Sequence, residues 1–316
     1  MLCLSVFSLE FILIPRALNR ALGMDPWKVM AQDPELGLIP NPNVLTQRRV
    51  LDAGKETTLE IRTLDNGFSC VGKLDTPNRV LILGDSFTAG WEVNHDEIYS
   101  RVLSASSSCS IFAIGCGGYG TYHELKLLER HMRRIKPALV ILQMCVNDPV
   151  DNCLELAEHS SYERAASNIG LIFSPKTPGK AFFTENDTVV FRGPGQGRVC
   201  ECARDFPLRT VATGCVLLDN LVNPFPKSEV TVEKDDSVEQ HRREAFAKSY
   251  RITVALLKNF KARCETVPAF AFIAGDGHAP FRALLEKALV EAGVPELRTV
   301  PERLASSRKA GESVIG

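Results

Sequence analysis

The sequence has no excess of charge of either sign. Its 316 residues include 37 Lys and Arg against 38 Asp and Glu, which leaves a formal net charge of −1. Nucleic-acid-binding proteins usually carry a basic patch or stripe, and the sequence contains none. A hydrophobic content of 45% and a charged content of 24% are near globular averages, which excludes collagen-like, disordered and coiled-coil chains. The composition therefore predicts a folded protein without a nucleic-acid partner.

The cysteines lack the patterns of metal-binding and disulfide-rich proteins. Ten of them are spread along the chain without a C-x-x-C motif, and the closest pair is Cys200 and Cys202. Structural zinc sites normally use two ligand pairs at short spacing, so a zinc knuckle at this pair is the less favoured interpretation. A disulfide framework would need a denser set of cysteines in a shorter chain. We therefore expect no metal site and no cofactor.

A long hydrophobic run is also lacking, apart from one short run at the N-terminus. Residues 1–15 are apolar except for Glu10, but a helix there would span only about 22 Å of a hydrocarbon core about 30 Å thick. No positive charge precedes the run, as a signal peptide would require. Three interpretations of the segment 1–24 stay open: part of a membrane anchor, an interfacial helix or a buried helix. Membrane association thus stays open, with a membrane-anchored or extracytoplasmic location favoured over a cytoplasmic one.

The rest of the sequence divides into a lead-in and a region of alternating strand and helix patterns. Residues 25–78 are rich in Pro, Asn, Asp and Gly, which predicts an irregular lead-in. Residues 79–316 predict an α/β domain. Its predicted strands are Arg79–Leu83, Ser110–Ile114, Ala138–Cys145, Ala269–Ala274 and Glu296–Val300, and its predicted helices are Asp96–Ala105, Thr121–Lys136, Ser237–Cys264 and Phe281–Ala292.

This alternation predicts a parallel five-stranded sheet with helices on both faces. The pattern is interrupted over 149–235, which we interpret as an insertion that covers the sheet. Within it, AFFTE and TVVFR flank Asn186 and Asp187 and predict a hairpin.

Three consecutive predicted strands end in small or polar residues. The first runs into Gly84-Asp85-Ser86, the second into the glycine-rich segment Gly115–Gly120, and the third into Asn147-Asp148. Ligands of open parallel sheets bind outside the carboxyl ends of the strands. The three ends meet at one edge if the second strand lies beside the first and the third lies on its other side. We expect the functional site at this edge.

Each of these strand ends offers one group that acyl transfer needs. Ser86 is a candidate nucleophile, and its alternative is an ordinary helix N-cap. The Gly118 N–H and the Asn147 side-chain amide are candidate donors to an oxyanion, and their alternatives are turn residues with no further role. A nucleophile and two kinds of donor together predict acyl transfer.

The same segments resemble a known family. RVLILGDSFTAG, IGCGGYGTYHEL and KPALVILQMCVND, followed by Pro-Val-Asp-Asn, are similar to the first three sequence blocks of the SGNH, or GDSL-type, hydrolases. The resemblance implies a three-layer α/β/α, flavodoxin-like fold and hydrolysis or transfer of O-acyl esters of a small molecule, carbohydrate or lipid. It also implies that Ser86 is the nucleophile and that the N–H of Ser86, Gly118 and Asn147 form the oxyanion hole.

The family further needs an aspartate and a histidine, known as block V, to orient the imidazole and take the serine proton. The residues after Glu296–Val300 contain neither, so block V is missing or displaced. The displaced candidates are Asp276 and His278 in GDGH, and the alternative for this segment is a strand-ending turn. Less favoured as the base are His95, His123, His131, His159 and His241.

Two other functions stay open. A truncated or degenerate relative would keep the fold without catalysis, which the missing block V favours. A nucleotide-binding module is the remaining hypothesis, because Gly115, Gly117 and Gly120 satisfy G-x-G-x-x-G between a strand and a helix. That motif also requires an acid about 20 residues on, and Asp148 lies farther away.

Overall fold

The centre of the protein is a parallel sheet of four strands. The computed structural model describes residues 26–52, 55–158, 180–183, 189–192, 236–275 and 279–297. The strands are β1 (Met30–Asp33), β2 (Gly37–Pro40), β3 (Leu45–Asp52), β4 (Lys55–Arg62), β5 (Arg79–Gly84), β6 (Ser110–Gly115), β7 (Leu139–Cys145), β8 (Lys180–Phe183), β9 (Val189–Arg192) and β10 (Ala269–Ala274). The α-helices are α1 (Pro26–Val29), α2 (Ser86–Ala89), α3 (Tyr99–Ser106), α4 (Thr121–Ile135), α5 (Asp148–Asn152), α6 (Leu154–Glu158), α7 (Asp236–Cys264) and α8 (Ala279–Ala292).

The central strand is β5, which pairs in parallel with β6 on one side and with β7 on the other. Strand β10 pairs in parallel with the outer side of β7, so the order is β10-β7-β5-β6. In this register Gly84 lies beside Gly115, and Leu83 lies beside Leu142. The order confirms that the second and third strands of the alternating region flank the first. Their carboxyl ends therefore lie at one edge.

Both faces of the sheet are buried under helices. Leu81 and Leu83 of β5 belong to a large apolar cluster with residues of α4, α7 and α8. Val80 and Ile82 belong to a second cluster on the opposite face, where Tyr99 of α3 packs. Each fully buried aliphatic side chain contributes about 1.5–3 kcal/mol, so the sheet is stabilised from both sides. The predicted α/β architecture, with parallel strands and helices on both faces, is confirmed.

The predicted fifth strand, Glu296–Val300, begins beside β10. The Ala271 N–H donates to the Pro295 carbonyl at 2.9 Å, and the Leu297 N–H donates to the Ala271 carbonyl at 2.7 Å. These bonds form a parallel bridge between Ala271 and Glu296. Residues 298–300 lie outside the described residues, so a full fifth strand stays a prediction.

The hairpin predicted within the insertion is found. Strands β8 and β9 pair antiparallel, with Lys180 opposite Arg192 and Phe183 opposite Val189. Strand β8 contacts α4, α5 and β2. Strand β8 therefore lies against α4 and α5, two helices that begin at the carboxyl edge of the sheet.

The N-terminal segment 1–24 lies outside the described residues, and its three interpretations stay predictions. Within the described ranges, no helix combines the length and the apolar character needed to cross a membrane.

Residues 25–78 do not form the irregular lead-in that their composition predicted. Strands β1 and β2 form one antiparallel hairpin, and β3 and β4 form a second. The prediction missed the period-two pattern of KETTLEIR, in which Leu59 and Ile61 are buried while Glu60 and Arg62 are exposed. Trp91, in the loop after α2, packs against the two buried residues and so joins the second hairpin to the sheet.

Arg130 of α4 fixes the first hairpin to the sheet. Its guanidinium donates to both carboxylate oxygens of Asp33, at 2.7 and 2.8 Å, and to Glu35 at 2.7 Å. The hydrogen bonds from Arg130 lower the pKa of Asp33 from 3.8 to about 2. Paired charge-assisted bonds of this kind are stronger than an ordinary surface ion pair.

Arg130→Met is expected to lower the free energy of unfolding at pH 7 by about 1–3 kcal/mol, because it leaves the partly buried Asp33 without its cation and leaves Glu35 with Lys126 alone. A carboxyl group whose folded pKa is depressed stabilises the fold above its unfolded pKa. The loss should therefore shrink as the pH falls from about 4 to about 2. Urea unfolding at pH 7 and pH 3 measures both effects, with the exposed Arg133→Met on the same helix as the control. Equal losses at both pH values would contradict this account.

Candidate active site

The carboxyl ends of β5, β6 and β7 bring Ser86, Gly118 and Asn147 to one edge of the sheet. Ser86 is the first residue of α2, Gly118 lies between β6 and α4, and Asn147 directly precedes α5. All three are half-buried. The first two strand ends touch, because a Cβ on Gly115 would lie 2.4 Å from the Asp85 carbonyl oxygen.

Hydrogen bonds fix the turn that carries Ser86. The Asp85 carboxylate accepts the Phe87 N–H at 3.0 Å and caps α2. As the first residue of this helix, Ser86 has an N–H without an acceptor inside the helix, which makes that N–H a candidate oxyanion donor. Phe87 is 51% exposed and places an apolar surface next to the serine in the chain.

A buried polar network holds this turn against β7. Gln143 Oε1 accepts hydrogen bonds from the Asp85 N–H at 3.2 Å and from the Thr88 hydroxyl at 2.8 Å. The Thr88 oxygen lies 2.8 Å from the Tyr99 hydroxyl, which can donate to it. Gly84 makes room for the network, because a Cβ there would lie 2.4 Å from Gln143 Oε1. Sequence reasoning missed these residues, although a glutamine inside the apolar run LVILQMC was a signal.

Gly118 is the third residue of a tight turn. The Tyr119 N–H donates to the Cys116 carbonyl at 3.1 Å, and Gly118 has a φ of 78°, as a type II turn requires. Among the described residues, no atom lies within 4 Å of the position that a Cβ on Gly118 would occupy. The Tyr119 hydroxyl donates to the Leu38 carbonyl at 2.6 Å, so the first hairpin of the lead-in supports this turn.

Asn147 is held by the helix that follows it. Its Nδ2 donates a hydrogen bond to Asp151 Oδ2, and its carbonyl accepts the Asp151 N–H at 3.0 Å. Asp148 Oδ1 accepts the Cys145 N–H at 3.0 Å and closes the turn between β7 and α5. Because an amide nitrogen carries two hydrogens, Asn147 keeps a second N–H that a ligand can use.

The second and third strand ends pack against each other through Gly120. A Cβ on Gly120 would lie 2.6 Å from Asn152 Oδ1 and 3.0 Å from Asp151 Cβ. Gly115 likewise meets backbone atoms of the first strand end. Two of the three glycines of the G-x-G-x-x-G pattern therefore have a packing role, and the nucleotide-binding module stays a hypothesis.

No known protein family and no curated protein matches the chain. A hydroxyl, two backbone N–H groups and a side-chain amide at one edge are the groups from which a function can be inferred.

The two histidines of α4 have contacts with residues other than Ser86. His123 Nδ1 accepts a hydrogen bond from the Gly120 N–H at 3.2 Å. Its ring stacks on the Tyr119 ring, with 4.7 Å between the ring centroids. His131 lies roughly 15 Å farther along the helix than its first residue. The His131 ring packs edge-to-face against the Phe68 ring, with 4.8 Å between the ring centroids. Burial lowers the pKa of His131 to about 4.

Two further histidines, His95 and His241, lie within the described residues. His95 is buried in a 3₁₀ segment, His95–Glu97, where burial lowers its pKa, and His241 is exposed on α7. No hydrogen bond between Ser86 and a histidine occurs within the described ranges. His159 lies outside them.

The candidate pair Asp276 and His278 also lies outside the described residues, so this prediction stays a prediction. The strand before it is described, and the Val146 N–H donates to the Ala274 carbonyl at 3.2 Å. Gly275 therefore lies at the same edge as the other strand ends, two strand spacings or about 10 Å from β5. The segment that carries the predicted base thus starts at the candidate site.

Glu124 of α4 is an unusual buried acid near this edge. It is fully buried, and neither carboxyl oxygen has a hydrogen-bond partner among the described residues. Burial raises the pKa of Glu124 well above 4.5, and the charges of Asp148, Asp85 and Asp151 raise it further. The folded state therefore favours a protonated Glu124. In the part of the chain that the structure describes, no three acidic, cysteine or histidine side chains are placed to hold a metal ion.

Glu124→Gln is expected to stabilise the protein increasingly as the pH rises above about 5. A glutamate with a raised folded pKa takes up a proton on folding, so wild-type stability falls with pH between the unfolded and folded pKa. For one proton, the free energy of unfolding of the wild type falls by up to about 1.4 kcal/mol per pH unit. The Glu124→Gln variant does not show this decrease, because glutamine does not titrate. Urea unfolding from pH 5 to pH 8 measures the difference, with the partly exposed Glu129→Gln as control. A difference that is constant across this range would refute the assignment.

Proposed function

We propose that the protein is a serine esterase or acyltransferase of the SGNH type that acts on O-acyl esters. The observation that carries the proposal is the convergence of Ser86, Gly118 and Asn147 at the ends of three adjacent parallel strands. Acyl transfer needs a hydroxyl nucleophile beside preorganised N–H donors, and this edge carries both. The proposal includes an SGNH fold whose fifth strand starts at Glu296 beside β10.

In the proposed reaction, the Ser86 oxygen attacks the carbonyl carbon of the ester and its proton passes to a base. The carbonyl oxygen becomes an oxyanion, which accepts hydrogen bonds from the N–H groups of Ser86 and Gly118 and from Asn147 Nδ2. When the C–O bond breaks, the alcohol leaves with the proton from the base. Water then hydrolyses the acyl-serine in an esterase, whereas a second alcohol takes the acyl group in a transferase.

Asp276 and His278 are the proposed base pair. In this role the imidazole takes the serine proton, and the carboxylate orients the ring. The position of Gly275 at the same edge supports the assignment, as does the engagement of His123 with the Gly120 N–H.

The proposed substrate is a small molecule, carbohydrate or lipid that carries an O-acyl ester. The exposed Phe87 ring next to Ser86 favours an acyl group with an apolar portion. The alternative is a relative that keeps the fold without catalysis. What favours this alternative is that residues 301–316, after the predicted fifth strand, contain neither aspartate nor histidine.

Ser86→Ala is expected to abolish both labelling by a fluorophosphonate probe and turnover of p-nitrophenyl acetate, because it removes the nucleophile. Mass spectrometry of the labelled wild type should locate the adduct on Ser86. Ser106→Ala, at an exposed serine of α3, is the control and should leave both readouts unchanged. A folded wild type that does not react with the probe would refute the proposal.

His278→Ala is expected to lower kcat for p-nitrophenyl acetate about 10³-fold or more, because the serine loses its proton acceptor. His241→Ala, at an exposed histidine of α7, is the control. Circular dichroism and thermal unfolding confirm that both variants fold. Turnover that is unaffected by His278→Ala would exclude this residue as the base.

A further inference from the structure

Asp151 contacts the proposed oxyanion donor Asn147 and lies beside Gly120, at the end of the glycine-rich segment that carries Gly118. It is fully buried on α5, one turn after Asn147, and its Oδ2 accepts the hydrogen bond from Asn147 Nδ2. Its Cβ lies 3.0 Å from the position that a Cβ on Gly120 would occupy, just beyond the turn that carries Gly118. One side chain thus contacts both the second and the third strand end.

Two acidic side chains among the described residues, Glu124 and Asp148, interact with Asp151. Its charge raises the pKa of Glu124 and of Asp148, so the interactions with these two acids are repulsive. A buried carboxyl group lowers stability unless hydrogen bonds offset the loss of hydration. The side-chain and backbone bonds to Asn147 offset part of that cost.

The helix that carries Asp151 is firmly held. Asn152 Nδ2 donates to Thr121 Oγ1 of α4 at 3.1 Å and to Thr253 Oγ1 of α7 at 3.2 Å. The Ser249 hydroxyl of α7 donates to the Pro149 carbonyl at 2.6 Å. A carboxylate on a fixed element can orient a partner within the narrow range that a catalytic site needs.

We propose that Asp151 is a positioning residue for the oxyanion hole. The terminal torsion of an asparagine is broad and nearly two-fold, so an unrestrained Asn147 amide can turn either its nitrogen or its oxygen toward a substrate. By accepting one N–H, Asp151 fixes the orientation and leaves the second N–H for the oxyanion. The inference rests on the proposed function and gives Asp151 no contact with the substrate.

A double-mutant cycle of Asp151→Ala and Asn147→Ala, measured on the full chain with p-nitrophenyl acetate, tests this role. Asn147→Ala should lower kcat about 10²–10³-fold. Asp151→Ala should lower it about 10- to 100-fold with KM within about twofold, because it weakens a transition-state contact. In the Asn147→Ala background, Asp151→Ala should change kcat less than about twofold. The exposed Asp75→Ala is the control.

Asp151→Asn keeps an acceptor oxygen and should retain kcat within about threefold of the wild type. If Asp151→Ala does not fold, the kcat of Asp151→Asn tests the positioning role instead. Equal effects of Asp151→Ala in both backgrounds, or a loss of about 100-fold in a folded Asp151→Asn, would overturn the positioning role. A folded wild type without turnover or probe labelling would contradict the proposed function itself, whereas an active wild type with an additive cycle would contradict only the role of Asp151.

Discussion

The pairing of β5 with both β6 and β7 is the constraint on which the candidate site depends. Because the three strands are parallel and adjacent, the residues that follow them emerge at the same edge. Two glycines allow the strands to end so close together. Gly84 leaves room for the Gln143 side chain, and Gly115 lets two strand ends meet through their backbones. A Cβ at either position would force these ends apart, and the proposed oxyanion donors would separate with them.

The same edge collects polar groups that weaken a fold when they are buried. Four carboxyl groups there are fully buried: Asp85, Glu124, Asp148 and Asp151. Burial raises the pKa of the first three, which means that the folded protein disfavours their charged forms. Three of the four accept hydrogen bonds that hold the turns after β5 and β7. We infer that stability is given up here for the fixed geometry of the turns, as is common at functional sites.

The sheet and the strand ends of the candidate site were predictable because their signals are local. Apolar runs such as RVLIL and the helical spacing over Thr121–Lys136 specify elements without reference to distant residues. The hairpins of the lead-in were missed because the Pro and Asn content of residues 25–78 was given more weight than the alternation of apolar and polar residues around Leu59. Gln143 and Asp151 were missed for a different reason: their roles depend on contacts between segments, such as Gln143 with Asp85, 58 residues away. The apolar run LVILQMC marks Gln143 as an unusual residue, but it does not identify the partner of its side chain.

A crystal structure of the protein after reaction with a fluorophosphonate would show directly whether the three strand ends form one oxyanion site. The phosphonyl oxygen of such an adduct stands in for the oxyanion of the acyl-transfer reaction. We expect an adduct on Ser86 with this oxygen within about 3.1 Å of the Gly118 nitrogen and of Asn147 Nδ2. An adduct whose oxygen lies in solvent, with both nitrogens beyond about 3.5 Å, would show that the three strand ends do not form one oxyanion site.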